Sequence, residues 1–205
     1  MCYRTKLNSK IQEIEKTFEA TFLEPDAYEP KEEINGFDFA KTPVITAEGK
    51  GEILMSNWGL IPFWAKDDKI KKSTLNAKIE TVSEKPAFRD AVKNRCLILA
   101  DGYYEWQWKD AKGKGKQKYL ISPKEQEIFA FAGIYSSWRN PNTGEQLNSY
   151  SILTTEANEL MSEIHNNKKR MPVVLKATDR NLWLSGVETE NFAFPYEVEL
   201  RAMEV

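Results

Sequence analysis

The sequence predicts an α+β fold with a mostly antiparallel, curved or barrel-like sheet core and flanking helices, in a single domain over residues 1–205. Three observations carry this expectation. Strand-like apolar runs outnumber helical ones, most neighbouring runs are joined by hairpin-length turns, and no GxGxxG or GxxxxGK[ST] loop marks a doubly wound nucleotide fold. The 205 residues, 41% hydrophobic and 29% charged, suit one packed core and exclude a disordered chain. No eighteen apolar residues run together, so neither a membrane span nor a membrane partner is expected. The start, Met1-Cys2-Tyr3-Arg4-Thr5-Lys6-Leu7, has no apolar signal region. With only two cysteines, the expected location is cytoplasmic.

Taken in order, Asn8–Thr21 places Ile11, Ile14 and Phe18 at helical spacing behind Asn8 or Ser9 as N-cap. Residues 43–47 and 52–58 read as a hairpin turned at Glu48-Gly49-Lys50-Gly51. Pro86 opens a short helix to Asn94. Cys96–Ala100 and Tyr103–Trp108 are strands around a tight Asp101-Gly102 turn, and the glycine-lysine loop 109–116 leads into a strand over 117–122. Residues 127–138 and 147–155 are strands flanking a turn at Arg139-Asn140-Pro141-Asn142-Thr143-Gly144. Helices are expected over 156–164 and 177–185, and a closing strand over 196–205.

Net charge is −2, but its distribution is uneven. Residues 10–33 carry −5 and residues 188–204 carry −4, whereas 64–95 carry +4 and 106–124 carry +5. A near-neutral chain of this kind can still present one basic face. Two cysteines and one histidine cannot build a Cys₄ or Cys₂His₂ zinc site, so no metal or other cofactor is expected.

Cys2 is the sharpest feature. Removal of Met1 would place an α-amine, with an ordinary pKa of roughly 7.7–8.0, beside a thiol near 8.5. The amine condenses with an aldehyde to an imine, and the thiol then closes a thiazolidine on the same carbon. The residues alone also allow Cys2 to be an ordinary terminal residue. Glu105 stands among aromatics, where desolvation would raise its pKa toward acid/base work, or it lies on the solvent face of its strand. Asn76 and Glu80 interrupt an apolar stretch, and His165 precedes a polar basic loop and an apolar strand. Cys96, in Arg95-Cys96-Leu97-Ile98-Leu99, reads as a buried hydrophobe.

With these segments in view, the chain resembles the SOS response-associated peptidase (SRAP) family. The resemblance rests on Met1-Cys2-Tyr3-Arg4, Trp58-Gly59-Leu60-Ile61-Pro62-Phe63-Trp64 and Asn76-Ala77-Lys78-Ile79-Glu80-Thr81. It extends through Arg95-Cys96-Leu97, Asp101-Gly102-Tyr103-Tyr104-Glu105-Trp106, Ala132-Gly133-Ile134 and the segment from Ile164-His165 to Arg170-Met171-Pro172 and Leu175. Tyr3 stands where the family has Gly, Lys78 where it has Arg, and extra residues separate His165 from Arg170.

The resemblance implies covalent capture of abasic sites in single-stranded DNA, by a monomer, through a thiazolidine on Cys2. It implies that Asn76 orients the N-terminus, Glu105 is the acid/base, and His165 holds the lesion's phosphate and assists proton transfer. It further implies that Arg4, Lys78 and Arg170 contact phosphates and that Trp64 wedges beside the lesion. Two other readings stay open on the same residues: a cysteine peptidase using Cys2 with His165, and a non-covalent single-strand binding module.

Overall fold

The computed structural model describes residues 2–205. Its centre is a closed ring of five strands. These are β4 (Lys41–Thr46), β5 (Glu52–Trp58), β7 (Arg95–Ala100), β10 (Phe129–Arg139) and β11 (Gln146–Glu156), closed by a parallel contact between β5 and β11. The other four pairings of the ring are antiparallel, and two of them, β4–β5 and β10–β11, are the hairpins that the short turns predict. Closure removes the free edges that an open sheet of such apolar strands would expose.

A second, five-stranded antiparallel sheet packs beside it. Its order is β13 (Leu200–Glu204), β9 (Lys116–Pro123), β8 (Gly102–Trp108), β1 (Arg4–Leu7) and β3 (Lys31–Asn35). Short strands complete the ring's margins: β2 (Thr21–Phe22) on β5, and β6 (Asn76–Lys78) and β12 (Arg170–Pro172) on β11. Three helices flank the sheets: α1 (Ile11–Phe18), α2 (Glu159–Ile164) and α3 (Arg180–Leu184).

All six residues of β7 are buried, because the ring covers one face and α3 covers the other. Trp183 Nε1 on α3 donates to the Cys96 carbonyl at 3.0 Å, and the Arg95 guanidinium lies 4.1 Å from the Trp183 ring centroid. Cys96 is itself fully buried, in keeping with its reading as packing. Gly133 on β10 marks the tightest approach in this layer. A Cβ there would lie 2.4 Å from Ile98 Cδ1 and 2.9 Å from Cys96 Sγ. Gly133→Ala is expected to lower stability by about 1–3 kcal/mol through overpacking. The measurement is a shift of the urea midpoint at unchanged slope.

Four local expectations differ from the structure. Asn8 and Ser9 do not cap α1. Their N–H groups donate to Asp101 Oδ2 (2.6 and 3.0 Å), while Lys10 is the N-cap and its N–H reaches Glu13 Oε2 at 2.9 Å. Residues 86–94 form only a 3₁₀ turn at Arg89–Ala91, too short to bury a helical stripe. Asp101-Gly102 does not turn a hairpin. It passes the chain from the ring into the second sheet, where β8 pairs with β1 and β9. The segment 177–185 divides into a 3₁₀ turn and α3.

Candidate active site

The site forms where β1, β6, β8 and the segment after α2 converge. Cys2 lies two residues before the start of β1 and is wholly buried. β1 pairs with β8 in the register Thr5↔Tyr103, and the same antiparallel register carried outward sets Tyr3 opposite Glu105. From the other side, β6 runs parallel to β11 with Asn76 beside Ile152, which delivers Asn76 to the start of the chain. Asn76 Nδ2 donates to the Cys2 carbonyl at 2.8 Å, a bond between residues 74 apart in sequence. Asn76 Oδ1 is buried and has no hydrogen-bond partner among the described residues. The Cys2 thiol donates a weak 3.8 Å bond to the Arg4 carbonyl, and burial pushes its pKa well up.

Glu105 lies on the buried face of β8, not its solvent face. Burial raises its carboxyl from 4.5 to about 7. His165, the C-cap of α2, faces it with Nε2 3.8 Å from Glu105 Oε2. Burial drives the imidazole down to about 4, so at neutral pH the ring is uncharged and the two residues do not form an ion pair. His165 Nδ1 lies 2.8 Å from the Arg170 carbonyl. A carbonyl can only accept, so Nδ1 carries the proton and Nε2 is the basic atom turned toward Glu105.

A cleft of about 330 Å³ opens over this pair, lined by Tyr3, Glu105, Trp106, His165, Lys116 and Lys168 among others. Along its flank, aromatics of β8 carry cations. The Lys118 ammonium sits 4.1 Å from the Tyr104 ring centroid and 5.7 Å from that of Trp106, and Lys116 sits 5.4 Å from that of Trp108. Arg4 lies 6.0 Å from the Trp106 centroid. Glu33 binds both Arg4 and Lys118 at 2.5 Å, so one carboxylate offsets part of their charge. Burial works against the ionised Glu33, but the hydrogen bonds from Lys118 and Arg4 outweigh it and hold its pKa below the ordinary value.

The structure thus brings Cys2, Asn76, Glu105 and His165 together, with Arg4 at their edge. Lys78 is exposed at the end of β6. Trp64 is about half-exposed on the loop after β5. That loop packs through Ile61 and Ala65 onto Trp138, a small cluster separate from the main core. Arg170 is engaged internally, with Nη1 and Nη2 on the two oxygens of Glu80 at 2.9 and 2.8 Å. The sequence reading missed Glu33, Phe37, Trp108 and the grip of Glu80 on Arg170. Phe37 stands 5.0 Å, centroid to centroid, from the ring of Tyr3, the residue that follows Cys2. For Glu80 a signal existed, a carboxylate in an otherwise apolar stretch, but no local pattern names its partner 90 residues away.

A five-stranded ring with a second antiparallel sheet, and a buried cysteine at residue 2 gathered with an Asn, a Glu and a His, define a protein of the α+β class with one polar site at the start of its chain. The chain belongs to the SOS response associated peptidase (SRAP) family, whose model matches residues 1–205. It is 39% identical over 192 residues to the abasic site processing protein YoqW of Bacillus subtilis, covering 93% of this chain and 83% of that protein. It is 34% identical over 167 residues to the abasic site processing protein HMCES of Gallus gallus, covering 69% of this chain and 48% of that protein. A crystal structure of a Bacteroides thetaiotaomicron protein superposes with a TM-score of 0.90 at 32% identity, covering all of this chain and 92% of that one.

Proposed function

We propose that this protein captures abasic sites in single-stranded DNA by forming a covalent thiazolidine on Cys2. The observation that carries the reading is the Asn76 amide holding the Cys2 carbonyl at 2.8 Å beside the buried Glu105–His165 pair. The names of the YoqW and HMCES relatives support the choice of lesion. Met1 lies outside the described residues, and its removal is the first step of the proposal. The α-amine then attacks the aldehyde of the ring-opened sugar to give a carbinolamine. Loss of water leaves an imine, the Cys2 sulfur adds to the imine carbon, and the thiol proton ends on the ring nitrogen.

A carboxyl titrating at about 7 has both forms available at neutral pH. Glu105 therefore gives a proton to the departing hydroxyl and takes one from a thiol that burial keeps protonated. His165 acts as a neutral base at Nε2 rather than as a cation on a phosphate, because burial holds it unprotonated. Asn76 Oδ1 is free to accept from the new α-amine. Arg4, Lys78, Lys116 and Lys118 meet the backbone, and Trp64 stacks beside the lesion.

Incubation of the Met-processed protein with an abasic single strand tests this. The expected product is a species resistant to denaturation whose mass is the sum of protein and DNA less one water. Absence of that product from fully processed protein overturns the reading. The basic flank has its own test. Lys116→Ala is expected to weaken binding to all single strands alike and to make the salt slope shallower by about 0.7, the loss of one phosphate contact. An unchanged slope removes Lys116 from the DNA path.

A further inference from the structure

Arg170 makes two different kinds of contact at once. Its guanidinium forks onto Glu80, and Nη2 also donates to the Thr154 carbonyl at 2.6 Å. Its own main-chain carbonyl meanwhile receives the His165 Nδ1 proton at 2.8 Å. The turn that permits this is tight: the Lys169 N–H donates to the His165 carbonyl at 2.8 Å, and Lys169 takes φ +49°. A non-glycine residue in that region is strained and persists only where its surroundings enforce it. Glu80 is in turn fixed by Thr155 Oγ1 at 3.2 Å, and it lies on the 3₁₀ turn Ile79–Thr81 that directly follows β6. One bidentate pair therefore ties the segment carrying Asn76 to the turn carrying His165.

We propose that Glu80 is a positioning residue: its grip on Arg170 keeps the Arg170 carbonyl on His165 Nδ1, and so keeps the basic Nε2 turned toward Glu105. The chemical consequence rests on the abasic-site reading above, whereas the imidazole geometry does not. The same contacts account for Arg170 without a phosphate. Its side chain is only 12% exposed, and both terminal nitrogens are already spent on Glu80 and Thr154.

The chain holds a single histidine, so its imidazole nitrogen signals in NMR need no assignment. The parent protein is expected to show the Nδ1–H tautomer. Glu80→Gln keeps the side-chain volume and removes the charge, and is expected to release the ring toward the Nε2–H form that free imidazoles favour. In crosslinking, Glu80→Gln is expected to lower the rate at saturating abasic single strand by roughly 10- to 100-fold, with half-saturation and salt slope unchanged. Arg170→Lys keeps a cation but not the fork, and is expected to behave likewise. It carries the same readouts if Glu80→Gln does not fold, as judged by near-UV circular dichroism.

Retention of the Nδ1–H tautomer in a folded variant overturns the proposal. So does a full rate in Arg170→Lys, or a loss confined to half-saturation with a shallower salt slope, which would make Arg170 a phosphate ligand. If the parent forms no adduct, the abasic-site reading fails and the tautomer alone decides the role of Glu80.

Discussion

Cys2→Ala is expected to abolish the DNA adduct that survives denaturation, while non-covalent binding to an abasic single strand stays within a few-fold of the parent. The reason is chemical. Alanine at the same position still presents an α-amine after Met1 removal, so it can condense with the sugar aldehyde. The imine it forms is open to water and hydrolyses, since no sulfur is present to close the ring. Cys2→Ser should behave in the same way, because a hydroxyl adds to an imine far less readily than a thiol. Treatment with a hydride reductant separates the two stages. It should trap Cys2→Ala and Cys2→Ser as stable secondary amines, and it should add nothing to the parent once its thiazolidine has formed. A stable adduct of Cys2→Ala without reductant would show that another nucleophile makes the crosslink.

Glu105→Gln is the second large effect, expected to slow adduct formation by about 10²–10⁴-fold, the usual contribution of a placed general acid–base. The pH dependence should change with it. The parent rate should inflect near pH 7, where the Glu105 carboxyl titrates, and the variant should lose that inflection. Stability provides an independent check with a definite sign. Burial raises the Glu105 pKa from 4.5 to about 7, so the folded state favours the protonated form. That contribution is fully present below pH 4.5 and is lost as pH rises through 7, an amount on the order of 3 kcal/mol. Glutamine cannot ionise, so Glu105→Gln should gain stability relative to the parent between pH 5 and 8, measured by urea unfolding. A parent whose stability relative to the variant is flat across that window would place Glu105 in water.

Much of the fold was legible because it is built from local signals. The hairpins β4–β5, β8–β9 and β10–β11 each follow from an apolar run, a turn rich in glycine or asparagine, and a second run. Some short or polar strands were not legible. Lys31–Asn35 has a single buried residue, Ile34, and Asn76–Lys78 spans only three residues, so neither carries a periodicity of its own. Both become strands because a neighbour offers a ladder, β1 in one case and β11 in the other. Asp101-Gly102 misled for a related reason. Turn chemistry states that the chain bends there but not which sheet it enters next.

The candidate site divides along the same line. By itself the sequence determined which chemistry is available: a cysteine at residue 2, one histidine, a carboxylate among aromatics, and lysines concentrated in the middle of the chain. The family motifs also ordered those residues along the chain. Only the tertiary structure decided that Glu105 faces inward and titrates near neutrality, that His165 presents Nε2, and that Arg170 is held by Glu80. The physical reason is that each of these outcomes depends on burial or on a hydrogen bond across a long sequence separation. Strand register and chain closure set such contacts, and residue type and local spacing carry no record of them.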